Sequence, residues 1–172
     1  MKLEIGPGPQ KIDSTWTTVG PFKALHVDYI ARWGEEPLPF EDNSVDQIYA
    51  SHVLEHVIWH KTIDALKETH RILKPGGFIE IHVPNFAIVV KAYLEKRCGD
   101  NWRAHNKEGN YMKWVNGRVF TYGGPGNTHR ALFDRDYLRQ CLLEAGFTEA
   151  KEGAKVRGHN HGVINLAMTG VK

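Results

Sequence analysis

The chain has 172 residues, 22 Lys plus Arg against 20 Asp plus Glu, a formal charge of +2 and a mean hydropathy of −0.43. This length argues for one domain over residues 1–172 and against two. No stretch approaches the roughly 20 apolar residues that cross a bilayer, and the opening Met-Lys-Leu-Glu-Ile-Gly leaves no room for a secretory leader, so the expectation is a cytoplasmic protein with no membrane partner.

In chain order, Lys2 to Ile5 reads as a first strand and Ala24 to Val27 as a second. Gln47 to Ala50 and Phe78 to Val83 are two more. Between these last two, Val53, Leu54, Val57, Ile58, Ile63, Leu66, Ile72 and Leu73 recur at helical spacing, which predicts a helix over 52–73 that stops at Lys74-Pro75-Gly76-Gly77. Residues 85–130 show no strand pattern, end in the glycine-rich Tyr122-Gly-Gly-Pro-Gly-Asn, and read as an insertion or lid. Asp134 is a plausible N-cap and Gly146 a stop for a further helix, and strands follow near Thr148 to Lys151 and Val163 to Thr169. Alternating strands and helices predict an α/β domain with a mostly parallel sheet. Cys98 and Cys141 lack the spacing of a metal or redox pair.

The first strand runs into Gly6-Pro7-Gly8, and Asp28 follows 22 positions after Gly6. Glycines after a first parallel strand let the backbone approach a ligand, and an acid about 20 residues on can bond a ribose hydroxyl pair. Lys11 stands where the third glycine of a dinucleotide fingerprint would fall, which disfavours NAD. His52, Glu55 and His56 follow the strand before the 52–73 helix at i, i+3, i+4, a spacing that puts all three on one helical face. His82 reads as a hydrogen-bonded core residue, His60 as solvated, and His159 and His161 as turn residues. Residues 85–130 hold eight Lys and Arg against three acids, interleaved with Phe86, Tyr93, Trp102, Tyr111, Trp114, Phe120 and Tyr122. Cations with aromatic faces suit a phosphorylated, base-bearing or sugar ligand, although the same residues could simply pack and solvate the lid.

The stretches LEIGPG, HVDY, PLPFEDNSVDQIYASHVLEHV, LKPGGFIEIHVPN and LEAGF occur in an order that resembles class I S-adenosylmethionine-dependent methyltransferases across nearly the whole chain. The resemblance implies a single doubly wound, Rossmann-like α/β domain with a mostly parallel sheet, an antiparallel last strand and a lid after the fifth-motif strand. It implies that Glu4, Gly6, Pro7 and Gly8 surround the methionine part of S-adenosylmethionine and that Asp28 holds the ribose. Tyr29 would lie near the adenine, the backbone of Gly34 and Glu35 would flank it, and Ala50 would lie near the amino acid. The family's usual helix before the first strand is absent, which leaves one side of the cofactor site for a second chain, such as the other copy of a homodimer, to cover.

Two narrower likenesses bear on the chemistry. His52, Glu55 and His56 spell the inverted zinc-protease motif H-x-x-E-H, but the flanking blocks are those of a methyltransferase. Small-RNA 3′-terminal 2′-O-methyltransferases and ubiquinone-pathway O-methyltransferases carry E-x-x-E-H at this place, and in the RNA enzymes a later histidine completes a metal site. His52 replaces the first glutamate here, and His129 stands roughly where the later histidine falls. The likeness implies a metal set of His52, Glu55, His56 and His129, whose three imidazoles suit a transition metal better than magnesium. In a metal-free site, His52 or His129 is the candidate base for the acceptor's proton. The GGPGN-TH pattern also resembles methyltransferases of surface-polysaccharide gene clusters. The expected function is O-methylation of a sugar-like or small hydroxylated, anionic acceptor. The competing readings are an RNA 2′-O-methyltransferase and a cofactor-binding partner subunit without turnover.

Overall fold

The computed structural model of the chain describes residues 1–96, 110–121, 127–158 and 161–172. Seven strands form one sheet: β1 (Lys2–Ile5), β2 (Trp16–Gly20), β3 (Tyr29–Ile30), β4 (Val45–Ser51), β5 (Leu73–Pro84), β6 (Glu149–Glu152) and β7 (Asn165–Val171). Their order is β3-β2-β1-β4-β5-β7-β6. The first five run parallel, and β7 is antiparallel to both β5 and β6. Leu3, Ile48, Ile79 and Ile81 on the central strands are fully buried, as expected of a parallel sheet covered on both faces. Among the described residues no helix is long and apolar enough to cross a membrane.

Two expectations are corrected. The second strand is Trp16–Gly20, and Ala24 to Val27 is loop. The run Trp-Thr-Thr-Val carries aromatic and β-branched residues that suit a pleated surface. It begins after a turn in which the Asp13 carboxylate accepts from the Thr15 amide at 2.7 Å. Leu25, whose apolar character suggested a strand, is 105% exposed.

The second correction concerns residues 52–61. Leu54–His56 and Trp59–Lys61 are separate 3-10 turns, and the α-helix, α1, spans only Thr62–Ile72. The cause is a distant competitor for a backbone acceptor. The Glu55 carbonyl, which a continuing helix would offer to residue 59, accepts instead from the amides of Arg130 at 2.7 Å and Ala131 at 3.1 Å.

The segment after β5 contains α2 (Phe86–Leu94) and α3 (Tyr111–Val119), capped by the Asn85 and Asn110 side chains. Val89, Ala92 and Trp114 form a small core of their own, separate from the main one. The segment's ends meet: the Phe86 amide donates to the Phe133 carbonyl at 2.8 Å. Residues 97–109, 122–126 and 159–160, with Cys98, Trp102, Tyr122 and His159, lie outside the described residues. The last helix, α4 (Arg135–Glu144), begins where expected, with the Asp134 carboxylate accepting from the Tyr137 amide at 2.8 Å. It packs on α1, β6 and β7 and carries Cys141, which is buried and whose thiol burial pushes up.

Candidate functional site

The strand order reverses between β1 and β4, because the chain builds β2 and β3 on one side and β5 on the other. A crevice at the carboxyl ends of such strands is the usual ligand site of an open α/β sheet. Here a cavity of about 340 Å³ lies there, lined by Ile5, Gly6, Val19, Gly20, Ala31 and Val53 from the strand ends. Trp33, Glu35, His56, Thr128 and Arg130 add loop walls. A mostly apolar cavity with a few converging polar groups suits a small organic ligand.

Gly6 sets the floor. Its amide donates to the Val19 carbonyl at 2.8 Å, which ties the end of β1 to β2, and its φ of +69° is a conformation glycine adopts without a Cβ penalty. A Cβ built there would collide with the Val53 side chain. Pro7 packs against Gly20. Glu4 is buried beside this turn and accepts from the Ile12 amide at 3.0 Å, so it anchors the loop after β1; burial raises its pKa.

Of the residues expected at the cofactor, Gly6 and Glu35 line the cavity, whereas Glu4, Pro7, Gly8, Asp28, Tyr29, Gly34 and Ala50 do not. Asp28 precedes β3 and does not end β2. Its carboxylate binds the Lys11 ammonium at 2.8 and 2.7 Å and accepts from the Thr18 amide at 2.9 Å, and these partners hold its pKa low. Asp28 therefore fastens the β2–β3 edge. Tyr29 lies edge-on to Phe40 at 5.1 Å, and Ala50 is buried in the sheet between Ile5 and Ile81. Sequence reasoning missed Gly20, Phe22, Ala31, Arg32 and Arg130 as lining residues. Finding β2 in the Trp-Thr-Thr-Val run would have placed Gly20 at the crevice.

Beside the cavity, which His56 lines, His52, Glu55, His56 and His129 meet. His52, with φ of 55°, turns the chain out of β4 in a left-handed conformation that a non-glycine residue adopts at a cost of order 1 kcal/mol. Its ring stacks on His161 with centroids 3.4 Å apart, and its Nδ1 lies 3.3 Å from Glu55 Oε1. Glu55 is 1% exposed. His56 and His129 face each other edge to face at 5.1 Å. The four residues come together through a 3-10 turn and the returning chain at 128–131, not through a helical face. Burial holds the His129 ring below the ordinary imidazole value.

His60 is exposed, whereas His82 is buried in β5 and its Nδ1 accepts from Asn165 Nδ2 at 2.9 Å. Desolvation lowers the His82 pKa from its ordinary 6.5. The unfolded chain then takes up this proton first, so the stabilisation is fully present above pH 6.5 and is lost as the pH falls through the depressed folded value. The expected slope from this one group is at most about 1.4 kcal/mol per pH unit. Denaturant unfolding between pH 7.5 and 5 in the native chain and His82→Gln should show a shallower slope in the variant. It should not vanish, because His70 and His129 shift in the same direction. Parallel curves would contradict the assignment.

Residues 3–81 match a family described as a methyltransferase domain. A demethylmenaquinone methyltransferase of Staphylococcus haemolyticus is 29% identical over 87% of this chain and 59% of its own length. A ubiquinone/menaquinone biosynthesis C-methyltransferase of Pseudoalteromonas translucida is 31% identical over 72% of this chain and 47% of its own. The chain thus spans about half the length of these relatives. Among solved structures, a Thermotoga maritima protein described as an S-adenosylmethionine-dependent methyltransferase, possibly acting on histamine nitrogen, superposes with a TM-score of 0.61. It is 20% identical, with 99% of this chain and 81% of that one covered. A Burkholderia thailandensis 1,6-didemethyltoxoflavin N1-methyltransferase with bound S-adenosylhomocysteine gives 0.58 at 16% identity, covering 99% of this chain and 70% of that one. At these identities the likeness is one of fold.

Proposed function

We propose, for a chain that belongs to the class I S-adenosylmethionine-dependent methyltransferases, that residues 1–172 act as one catalytic domain moving the sulfonium methyl group to a small hydroxylated acceptor. The observation that carries this is the apolar cavity at the carboxyl ends of β1, β2, β3 and β4, floored by a glycine with no room for a side chain and walled at one end by His56. The cofactor would lie over Gly6. Glu35 is the cavity's carboxylate among the described residues and is the group available to the ribose hydroxyls; Arg130 orients it at 3.2 Å. In the transfer the acceptor oxygen attacks the methyl carbon in line as the carbon–sulfur bond breaks, S-adenosylhomocysteine leaves, and the acceptor's proton goes to the histidine cluster. Catalysis is then largely alignment, with His52 or His129 taking the proton.

A second reading comes from the two quinone-pathway relatives, whose names point to a ring carbon as the acceptor. Deprotonating a phenolic hydroxyl makes the adjacent carbon nucleophilic, so the same cluster serves both. An RNA terminus is less favoured, because several lid cations already have partners. Lys96 lies over the Tyr93 and Tyr111 rings at 4.1 and 5.3 Å, and Arg130 pairs with Glu35.

Calorimetry with S-adenosylhomocysteine should show one site per chain, and a chain with no heat of binding would end the proposal. Incubation with methyl-labelled cofactor, a hydroquinone and a sugar phosphate, read by mass spectrometry and proton NMR, then separates oxygen from carbon transfer.

A further inference from the structure

We propose that Glu55, His56 and His129 bind a divalent transition-metal ion beside the cavity that His56 lines, with His52 as its near neighbour. One donor atom from each of the three can be chosen so that all lie within 4.8 Å of one another, close enough that small side-chain shifts bring them to the roughly 2.0–2.2 Å of zinc–ligand bonds. The Glu55 carboxylate is buried, and neither oxygen has a hydrogen-bond partner among the described residues. His52 Nδ1 at 3.3 Å is close but out of line for a hydrogen bond. A buried carboxylate without a donor is costly enough that structures rarely keep one without a compensating charge.

The histidines supply an independent argument. The Nδ1 of His56 lies 3.2 Å from the Thr128 carbonyl, and that of His129 lies 3.1 Å from the Arg118 carbonyl. A carbonyl only accepts, so both Nδ1 atoms carry the proton and both Nε2 atoms hold lone pairs. His52 is tied at its other nitrogen: Nε2 donates to Asn165 Oδ1 at 3.1 Å, and Nδ1 lies 3.3 Å from Glu55 Oε1. Two imidazoles tied through Nδ1 to carbonyl acceptors thus each keep a lone pair beside one buried carboxylate. That collection repels itself unless a cation sits among it, and an outward N–H donated to a carbonyl is the usual support of a metal-bound histidine. Two imidazoles and a carboxylate with open positions are a ligand set for zinc or ferrous iron, not for magnesium. Because His56 also lines the cavity, such an ion would lie within reach of an acceptor hydroxyl and lower its pKa. Metal binding itself does not depend on the methyl-transfer reading.

The test uses the full chain freed of metal by chelator dialysis and titrated with Co²⁺, followed by visible absorption, and with Zn²⁺, followed by elemental analysis. The expected result is one ion per chain, Zn²⁺ displacing Co²⁺, with affinity at least tenfold weaker in Glu55→Gln and in His129→Ala. No stoichiometric uptake by the native chain, or unchanged affinity in both variants, would overturn the proposal. Circular dichroism checks folding, and if Glu55→Gln does not fold, His129→Ala and the native titration decide. S-adenosylhomocysteine calorimetry on the same samples keeps the two readings apart. Nucleotide binding without metal uptake removes only the metal site, and metal uptake without nucleotide binding removes only the methyltransferase reading.

Discussion

Gly6→Ala is expected to lose measurable binding of S-adenosylhomocysteine at concentrations that saturate the native chain, and to destabilise the fold by about 2–5 kcal/mol. Two costs add. A φ of +69° places an alanine in the left-handed region, at about 1–2 kcal/mol. The new Cβ also overlaps Val53, and overpacking of this kind costs about 1–3 kcal/mol. Val53 is itself a cavity wall, so whichever way the clash relaxes, the floor and the wall of the site move. The double variant Gly6→Ala/Val53→Ala separates the costs. It should recover part of the stability, because the overlap is gone, and keep the left-handed strain. Native-like affinity in Gly6→Ala would mean that no ligand approaches this turn closely.

The second large effect is expected at Trp114. It is 1% exposed and packs with Val89 and Ala92 in the core that joins α3 to α2. Truncating a buried tryptophan to alanine costs about 3–5 kcal/mol, more than so small a cluster can absorb. The loss should be local, because the main core is built from other residues. Hydrogen exchange in Trp114→Ala should show fast exchange over 86–94 and 111–119 while β4 and β5 stay protected. A single cooperative transition that takes the sheet along would show that the two cores fold as one. The Arg118 carbonyl on α3 holds His129, so the variant should also weaken Co²⁺ binding.

What could be read locally in the sequence came out close to the structure. The Asp134 cap, the Gly146 stop, the turn after β1 and the β4 and β5 strands each depend on neighbours a few residues away, as propensity and capping do. The errors lie where a distant partner decided. The segment at 52–61 has helical spacing, yet the Glu55 carbonyl is taken by amides 75 and 76 positions later, and the helix starts only at Thr62. Asp28, whose spacing suits a ribose ligand, has its carboxylate held by Lys11 and Thr18, a pairing that spacing alone does not reveal.

The segment at 85–130 shows the same division. Its excess of five positive charges is a property of the sequence, but whether those charges face a ligand depends on tertiary partners, and Lys96 and Arg130 have found theirs in aromatic rings and Glu35. The sequence by itself determined the α/β class with its mostly parallel sheet, the glycine turn after β1 and the residue types of the histidine cluster. Only the tertiary structure decided that Glu55 is buried, with no hydrogen-bond donor among the described residues, and that His56 and His129 stand beside it. Those facts rest chiefly on contacts of Glu55 and His56 with the chain at 128–131, more than 70 positions on, whose geometry no local pattern encodes.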